Sequence, residues 1–233
     1  MTPITRAVTY PRKYLAALRM AGQMRTRPEL SASEALAWGN GLHWYGDVLR
    51  TTQAAEEILW LLEVLRGEEP HVIVEIGTDQ GGTLFLWPYA AAEDALIVAV
   101  DARPLGVLGQ RSPFAIVRRA FALRDQRIEL LIPADSHDPR TVERVQQVLG
   151  GRPVDFVFID ADHSYEGVRQ DFERFSPLVR PGGIVAFHDI AGDAWPGVVR
   201  FFGELEQRYD SAKHVAAGER RYGIGYVRMP AQT

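Results

Sequence analysis

The sequence predicts an α/β fold in which a mostly parallel sheet carries helices on both faces. Short apolar runs rich in β-branched residues alternate with stretches of helical periodicity. The first of these runs leads into a glycine-rich turn and then into a helix, which is typical of a strand–turn–helix unit. The last two runs, near Ala212–Ala216 and Gly223–Arg228, have no helix between them, so an antiparallel hairpin is predicted at the sheet edge.

Composition and net charge exclude several kinds of site and partner. A chain of 233 residues is long enough for one domain with a full core, and its 46% hydrophobic and 24% charged residues are ordinary for a globular protein. A net charge of -4 gives no reason to expect a nucleic acid or an anionic membrane as partner. The absence of cysteine excludes disulfides, thiolate metal sites and cysteine nucleophiles. No signal peptide or membrane-spanning run is evident, so a cytoplasmic location is expected.

Residues 1–50 are predicted to form an N-terminal helical arm or lid, and residues 51–233 the main domain. Ser31 with Glu34 has the pattern of a capping box at the start of a short helix. The arm also contains three aromatic residues in a glycine-containing stretch, Trp38, Trp44 and Tyr45. We expect them to pack the arm onto the main domain or a second subunit; the alternative is that they form a wall of a substrate pocket.

The main domain begins with a helix and a strand. A helix is predicted from Thr51 or Thr52 to Arg66, because threonine is a good N-cap and apolar residues then recur every three or four positions. Gln53, at its start, could reach a ligand; the alternative is that it is only a surface residue. His71–Ile76 follows as a strand whose β-branched residues suit burial on both faces.

The next elements follow the glycine-rich turn. Thr83–Ala92 is predicted to be a helix that Pro88 bends or shortens. Ala95–Val100 is a continuous apolar run and therefore a strand. Arg103–Pro113 contains proline and glycines and is predicted to be a loop that acts as a lid, and Phe114–Leu123 is predicted to be a helix.

The centre of the domain continues the alternation. Ile128–Pro133 is predicted to be a strand, followed by the sequence A-D-S-H-D. Pro139–Leu149 is predicted to be a helix because Asp138 directly before a proline is a strong start signal. Val154–Ile159 is the next strand, with the apolar sequence V-D-F-V-F-I.

The final third completes the sheet. Tyr165–Leu178 is predicted to be a helix, Pro181–Gly183 a turn, and Ile184–Phe187 a strand. Trp195–Arg208 is amphipathic and is predicted to be the last helix before the hairpin. The predicted architecture is therefore a Rossmann-like sheet of seven strands with an N-terminal helical extension.

Acidic residues lie at or just past the carboxyl ends of four predicted strands: Glu75, Asp101, Asp135 and Asp160. In a doubly wound sheet, ligands bind beyond these ends. Asp101, with Ala102 beside it, follows the glycine turn at the distance usual for an acid that binds a ribose diol. The structural alternative is that Asp101 only caps its loop.

Glu75 distinguishes between nucleotide classes. A carboxylate that faces the ligand repels a pyrophosphate but suits an amino group or a sulfonium. The turn also has the spacing G-x-x-x-G instead of G-x-G-x-x-G. Both observations favour S-adenosylmethionine as the cofactor and disfavour NAD.

Three motifs resemble a known family. E-I-G-T-D-Q-G-G-T resembles the first motif of class I S-adenosylmethionine-dependent methyltransferases, in the form found in catechol-type O-methyltransferases. F-I-D-A-D-H-S-Y-E-G-V and L-V-R-P-G-G-I-V-A-F-H-D-I resemble the branch related to cephalosporin-biosynthesis and macrolide-sugar methyltransferases. The resemblance covers about Gln53 to Arg228, and its second half is the more specific.

The resemblance implies cofactor contacts at matching positions. Residues of the first motif would surround the methionine end of the cofactor, an acid would hold the ribose, and residues after the third strand of the sheet would contact the adenine. In that order these residues are Glu75, Gly77, Gly81 and Thr83; Asp101; and Asp135 and Ser136. Asp160 is also expected near the cofactor.

Two acids suggest a metal site. If the strands before Asp160 and Asp189 are neighbours, their ends lie about 5 Å apart. Carboxylates that close repel each other unless a positive charge lies between them, and oxygen ligands suit Mg²⁺ or Mn²⁺. In the resembling family a divalent cation is bound at these strand ends. This chain departs from the pattern because His188 stands where the family often has an acid, and imidazole favours Mn²⁺, Fe²⁺ or Zn²⁺ over Mg²⁺. Asp160, His188 and Asp189 are the predicted metal ligands; the alternative is a cofactor contact and a loop cap.

His163 and His188 are the candidate general bases, because an imidazole titrates near neutral pH. His137 is predicted to lie near the cofactor. Tyr165 is interpreted either as part of the pocket or as a cover of the core. Asp171 is predicted to lie on the solvated face of its helix.

Together these observations predict a divalent-metal-dependent O-methyltransferase that acts on a hydroxyl of a sugar or secondary metabolite and forms a homodimer. Two alternatives remain. One is a metal-independent methyltransferase with a histidine base, His163. The other is a non-catalytic nucleotide-binding Rossmann protein, which the strand-end acids and histidines disfavour.

Overall fold

The computed structural model describes residues 3–44, 47–48, 51–105, 112–217 and 222–231. The described helices are α1 Pro3–Arg25, α2 Ala32–Asn40, α3 Ala55–Glu68, α4 Gly82–Leu86, α5 Pro113–Arg119, α6 Pro139–Leu149, α7 Tyr165–Phe175 and α8 Pro196–Glu206. The described strands are β1 His43–Trp44, β2 Asp47–Val48, β3 Val72–Ile76, β4 Leu96–Val100, β5 Arg127–Leu131, β6 Val154–Ile159, β7 Val179–His188, β8 Ser211–His214 and β9 Ile224–Arg228.

The main sheet has seven strands in the order β5-β4-β3-β6-β7-β9-β8. The first five strands of this order are parallel, and β9 runs antiparallel to both β7 and β8. Ile76 lies beside Val100 on one side and Ile159 on the other, so β3, β4 and β6 end level with one another. The predicted Rossmann-like α/β fold with its antiparallel C-terminal hairpin is confirmed.

Helices cover both faces of the sheet. Side chains of β3 alternate between two apolar layers: Ile73 lies in one, and Val72, Val74 and Ile76 lie in the other. The first layer is completed by α1 to α5 and the second by α6 to α8. Because both faces are buried, each parallel strand has a nearly continuous apolar sequence.

The N-terminal helices are fastened to the main domain by one arginine. The guanidinium of Arg27 donates to the Tyr89 hydroxyl at 2.7 Å and to the backbone oxygens of Met24, Ala120 and Phe121. The residues just after α1 are thereby joined to the end of α5.

Aromatic packing adds to this attachment. Trp38 of α2 packs on the Phe85 ring of α4 at 5.6 Å, as expected of an arm that covers the main domain. Tyr45 and the side chain of Trp44 lie outside the described part. The capping box of Ser31 and Glu34 is confirmed.

Two predicted elements are wrong in detail. The helix α3 begins at Ala55 with Ala54 as N-cap and no side-chain cap, so neither Thr51 nor Thr52 caps it. Pro181–Gly183 is not a turn but part of the ten-residue strand β7. The strand continues there because Gly182 N–H donates to Met229 O at 2.8 Å and Met229 N–H to Gly183 O at 2.9 Å.

Other elements differ mainly at their ends. The helix after the glycine turn stops at Leu86 and passes into a 3₁₀ turn, Trp87–Tyr89, where Pro88 removes a donor. The predicted lid loop Arg103–Pro113 is only partly described, since residues 106–111 lie outside the described ranges. None of the helices in those ranges combines the length and apolar character needed to cross a membrane.

Candidate functional site

A cavity of about 1300 Å³ opens at the carboxyl ends of the parallel strands. Its wall contains most of the residues selected from the sequence: Gln53, Gly77, Thr83, Asp101, Ala102, Asp135, Ser136, Asp160, His163, His188 and Asp189. Glu75 and Gly81 are not part of the wall. These residues are far apart in the sequence. They meet here because the carboxyl ends of β3 to β7 are adjacent in the sheet.

The glycine turn brings backbone to the cavity surface. Gly77 has a φ of +86°, and a Cβ at this position would lie 2.0 Å from the backbone oxygen of Asp160. Gly81 has a φ of +88°, in the left-handed region that favours glycine. The close approach of Gly77 to β6 leaves no room for any side chain. Glycine at position 77 therefore lets the end of β3 lie directly against the residue that follows β6.

Asp101 is fixed by backbone donors. Its Oδ2 accepts from the N–H groups of Thr78 at 3.0 Å and Asp79 at 2.8 Å, and its Oδ1 accepts from that of Arg103 at 2.7 Å. The carboxylate is nearly buried, and Oδ1, which accepts one backbone hydrogen bond, retains the capacity to accept another. An orientation set in this way suits the recognition of a diol.

Glu75 lies behind the cavity wall and is fully buried. Its Oε1 accepts from the Thr83 hydroxyl at 2.6 Å and the Trp87 indole at 2.8 Å. Burial raises the pKa of Glu75 to about 7, although these hydrogen bonds act in the opposite direction. Near neutral pH this group is therefore divided between its charged and neutral forms.

Four side chains at the ends of β6 and β7 form the acid–imidazole cluster: Asp160, His163, His188 and Asp189. His163 Nε2 lies 2.7 Å from Asp189 Oδ2 and 3.5 Å from Asp160 Oδ1. His188 Nδ1 lies 3.2 Å from Asp189 Oδ2 and 3.4 Å from Asp160 Oδ2. Asp189 has a φ of +62°, which is uncommon for a residue other than glycine and is frequent at functional sites.

The charges of this cluster compensate one another. Contacts with Asp160 and Asp189 raise the pKa of His163 to about 9. Burial alone would lower the pKa of His188, but the same two carboxylates raise it to about 10. Burial alone would raise the pKa of Asp160, yet His188 and His163 hold it well below its usual range. Without a metal ion, both imidazoles keep their protons at neutral pH.

The cluster also has the composition of a metal site. Asp160, His163 and Asp189 each offer a ligand atom, and these atoms all lie within 4.8 Å of one another. Sequence reasoning assigned His163 to proton transfer only, whereas the structure brings it into the same cluster as the two acids. The donors are two carboxylates and imidazole, which suit a divalent cation such as Mn²⁺ or Mg²⁺.

Gln53 connects the cofactor cavity to this cluster. Its Nε2 donates to Asp160 Oδ2 at 2.7 Å. Its Oε1 is buried and has no hydrogen bond to a described residue. A buried acceptor without a donor is energetically unfavourable, so a donor on a bound ligand is expected at this atom.

Two aromatic residues in the wall were not selected from the sequence. Trp195 stacks on His163 with a centroid distance of 4.3 Å and is 40% exposed. The rings of Tyr222 and His188 meet edge-on, with a distance of 6.0 Å between their centroids. Trp195 was predicted only as the first residue of a helix, and the one sequence signal for it is its position a few residues after His188 and Asp189.

The cavity wall also contains a second group of polar residues, which follow β5. Ser136 and His137 follow β5 and belong to the cavity wall. Asp171 of α7 lies behind them and is fully buried, so its predicted solvated position is wrong. Its helix places it between Val168 and Phe175, on the stripe that faces the sheet.

Comparisons with known proteins agree with this geometry. The chain matches the family described as Methyltransferase domain over residues 74–190, about half of its length. Demethylmacrocin O-methyltransferase of Streptomyces fradiae is 36% identical over 73 residues, which is 31% of this chain and 18% of that protein. The chain spans 52% of the length of one other curated relative and 14% of another.

Solved structures share the fold. The O-methyltransferase TomG from Streptomyces achromogenes, involved in tomaymycin synthesis and solved with SAM, has a TM-score of 0.61 and 19% identity over 95% of this chain and 99% of its own. MycE methyltransferase from the mycinamycin biosynthetic pathway, solved with Mg, SAH and mycinamycin VI, has a TM-score of 0.57 and 20% identity over 87% of this chain and 55% of its own. At these identities the similarity establishes the fold.

Proposed function

The chain belongs to the methyltransferase domain family of class I S-adenosylmethionine-dependent enzymes, and on this premise we propose that it transfers a methyl group to a hydroxyl oxygen of a small molecule. One observation carries the proposal: a single cavity is lined by the glycine turn, by Asp101, an acid placed to bind a ribose diol, and by a cluster of two carboxylates and two imidazoles. The turn and Asp101 suit a nucleoside cofactor, and the cluster suits the activation of a hydroxyl group.

The proposed cofactor contacts follow the cavity wall. When bound, S-adenosylmethionine supplies a methyl carbon that its sulfonium makes electrophilic. The glycine turn with Thr83 would receive the amino-acid end, Asp101 with Ala102 the ribose, and Asp135 with Ser136 the base. Gln53 would use its free Oε1 for a ligand donor. Glu75 lies behind the turn and is negatively charged in part of the molecules at neutral pH, which supports a cationic cofactor over the pyrophosphate of NAD.

The acid–imidazole cluster is proposed to hold a divalent cation beside the acceptor. Asp160 and Asp189 would supply oxygen ligands, with His163 or His188 as a nitrogen ligand. A bound cation would lower the pKa of an acceptor hydroxyl and neutralise the two acids. That neutralisation matters for proton transfer, because the carboxylates otherwise keep both histidines protonated and unable to act as bases.

A metal-independent reaction is the second candidate. It is supported by the short contact of His163 Nε2 with Asp189 Oδ2, 2.7 Å, which satisfies the charges of the cluster without a cation. In this case His163 is the base and reacts only in the fraction that has lost its proton, which grows as the pH approaches its raised pKa of about 9. Removal of metal distinguishes the two candidates, because only the first loses activity in EDTA.

The acceptor is proposed to be a saccharide or another ring-bearing secondary metabolite. Trp195 offers a partly exposed aromatic face beside His163. One relative is named demethylmacrocin O-methyltransferase, and MycE of the mycinamycin biosynthetic pathway was solved with mycinamycin VI, which supports a secondary metabolite as acceptor. The residues of the wall would exclude water and align the hydroxyl with the methyl carbon.

Thermal unfolding with S-adenosylhomocysteine and with NAD tests the cofactor. A ligand at about 100 times its dissociation constant adds about 2.7 kcal/mol of stability. We expect this stabilisation with S-adenosylhomocysteine and none with NAD. No stabilisation by S-adenosylhomocysteine would contradict the proposal.

Titration with Mn²⁺ and Mg²⁺ tests the metal. We expect wild-type protein to bind Mn²⁺ and Asp160→Asn to bind it at least about tenfold more weakly, since one charged ligand is lost. Asp94→Asn is the matched control, because Asp94 is exposed and pairs with His71 in the described part of the chain. Equal Mn²⁺ affinity in all three proteins, or none in wild type, would favour the metal-independent candidate.

A further inference from the structure

A buried arginine lies behind the glycine turn. Arg118 of α5 is only 7% exposed, and none of the carboxylates in the described ranges forms an ion pair with it. The nearby acids pair with Arg103 instead, at 2.9 Å for Asp79 Oδ1 and 3.9 Å for Asp101 Oδ1. Burial lowers the pKa of the buried arginine, and the charges of Asp101, Glu75 and Asp79 partly offset that effect. A buried cation without a direct anionic partner is unfavourable for stability, which suggests another role.

Two contacts connect the guanidinium of Arg118 to the main chain of the turn. Its Nη2 donates to the backbone oxygen of Asp79. Its Nε lies close to Gly81, where an added Cβ would be 3.0 Å away. Asp79 belongs to the cavity wall and Arg118 does not. The arginine therefore contacts the turn from outside the cavity.

Asp79 connects this arginine to the predicted ribose acid. Its N–H donates to Asp101 Oδ2 at 2.8 Å, while its carbonyl oxygen accepts from Arg118. Its φ of +39° is uncommon for a residue other than glycine. A conformation of this kind persists only where surrounding contacts hold it, and the hydrogen bond from Arg118 is such a contact.

We propose that Arg118 is a positioning residue that holds Asp79 in the conformation whose N–H orients the Asp101 carboxylate for the ribose. The inference rests on the proposed function, since it assumes that Asp101 binds the ribose of a nucleoside cofactor. Arg118 acts through the turn and does not touch the cofactor. Its loss should therefore weaken the recognition of the ribose hydroxyls more than the recognition of the other parts of the cofactor.

Calorimetric titration with S-adenosylhomocysteine and with its dideoxyribose analogue, which lacks both ribose hydroxyls, tests the inference. Wild-type protein is expected to bind S-adenosylhomocysteine about tenfold or more tightly, because the analogue leaves a charged acceptor without its donors. In Arg118→Met, whose side chain is long but has neither charge nor donor, this preference is expected to fall to about threefold or less. A purely structural role would weaken both ligands equally and leave the preference unchanged.

Arg27→Met is the matched control. Arg27 also donates to the end of α5, at the backbone oxygens of Ala120 and Phe121, but makes no hydrogen bond to the turn in the described structure. Its replacement should lower stability and keep the preference within about twofold of wild type. An equal fall of the preference in Arg27→Met and Arg118→Met would show that any loosening of α5 has this effect, and would overturn the inference.

A second variant covers the case in which Arg118→Met does not fold. Arg118→Gln removes the buried charge and keeps a polar side chain, which is shorter than that of arginine and loses the contact with Asp79. It is expected to lose the preference as Arg118→Met does. A preference as large as that of wild type would overturn the inference.

Nuclear magnetic resonance of the ligand-free protein provides an independent readout. The amide proton of Asp79 is expected to shift upfield in Arg118→Met, because its hydrogen bond to Asp101 lengthens. The amide of Gly77, which donates to Val100 O at 2.8 Å at the start of the same turn, is expected to be unchanged. An unchanged Asp79 amide or an unchanged preference in Arg118→Met overturns the inference, as does equal binding of the two ligands by wild type. If wild type binds neither ligand, the proposed function fails, while the amide signals still show whether Arg118 holds Asp79.

Discussion

Two parts of the cavity differ in the groups that form them: main chain at the glycine turn and charged side chains at the acid–imidazole cluster. The glycine turn after β3 presents main chain, with Gly77 against the backbone of Asp160 and with N–H groups holding Asp101. The acid–imidazole cluster after β6 and β7 consists of side chains whose charges depend on one another. A site made of backbone is sensitive to added volume, whereas a site made of charges is sensitive to protonation and to bound cations.

This difference predicts which substitutions affect each of the two parts. A side-chain change in the cluster alters charge but leaves the turn intact. A change at the turn displaces strands and should affect both stability and cofactor binding. Distant and independent sites show additive effects, so substitutions can test how separate the two parts are.

The largest effect is expected for Gly77→Ala. Its Cβ would lie 2.0 Å from Asp160 O, and its φ of +86° is unfavourable for alanine. We expect a loss of about 3 kcal/mol or more in the free energy of unfolding and no measurable binding of S-adenosylhomocysteine. Thermal or urea unfolding and calorimetric titration provide the measurements.

Gly150→Ala is the control for backbone strain alone. Gly150 has a φ of +60°, but no other atom lies within 4 Å of the added Cβ. This variant should lose about 1 kcal/mol of stability and bind S-adenosylhomocysteine as wild type does. Normal binding in Gly77→Ala would mean that the turn does not have to approach β6 closely.

A pH-dependent effect is expected for Glu75→Gln. The folded state raises the pKa of Glu75 from 4.5 to about 7, so it binds this proton more tightly than the unfolded state does. Wild-type stability from this group is therefore greatest below pH 4.5 and is lost as pH rises to 7. Relative to wild type, Glu75→Gln should gain up to about 3 kcal/mol between pH 4.5 and pH 8.

Urea unfolding at several pH values measures this difference. The glutamine Oε1 still accepts from Thr83 and Trp87, so the hydrogen bonds seen for Glu75 are retained. Glu93→Gln serves as the control for loss of one carboxylate at an exposed position. Parallel curves for Glu75→Gln and wild type would show that Glu75 titrates normally.

The smallest effect is expected for Trp195→Ala. Trp195 stacks on His163 at the acid–imidazole cluster and touches no part of the glycine turn in the described structure. We expect a loss of about 1 kcal/mol of stability and an unchanged dissociation constant for S-adenosylhomocysteine, within about twofold. Trp195→Phe, which keeps a stacked ring, should be close to wild type in both measurements. A large loss of cofactor affinity in Trp195→Ala would show that the two parts are coupled.

The sequence was most informative where the fold uses backbone geometry. Glycines at fixed spacing and an acid at each strand end predicted the sheet, the turn and the convergence of Asp101 with Asp160. These features are local, or they follow from the parallel order of the strands. The family resemblance seen in the motifs is confirmed by the match over residues 74–190.

Features that depend on tertiary contacts were less accessible. The length of β7 is set by its pairing with Met229, far away in sequence. Whether His163 or His188 meets Asp189 at the shorter distance depends on how two loops meet. The prediction for Asp171 was wrong for a different reason: its spacing from Val168 and Phe175 puts it on the apolar stripe of its helix, and this local signal was overlooked.

The attachment of Arg27 has a consequence for synthesis on the ribosome. Its acceptors at Ala120 and Phe121 lie 93 and 94 positions later in the chain. At about 5–20 residues per second, the emerging first helix waits on the order of 5–20 seconds before these acceptors have been made. During that interval Ala17, Ala21 and Met24, which the finished fold buries, have no α5 to cover them. Chaperones that bind exposed hydrophobic segments should therefore bind nascent chains at α1 until translation has passed α5.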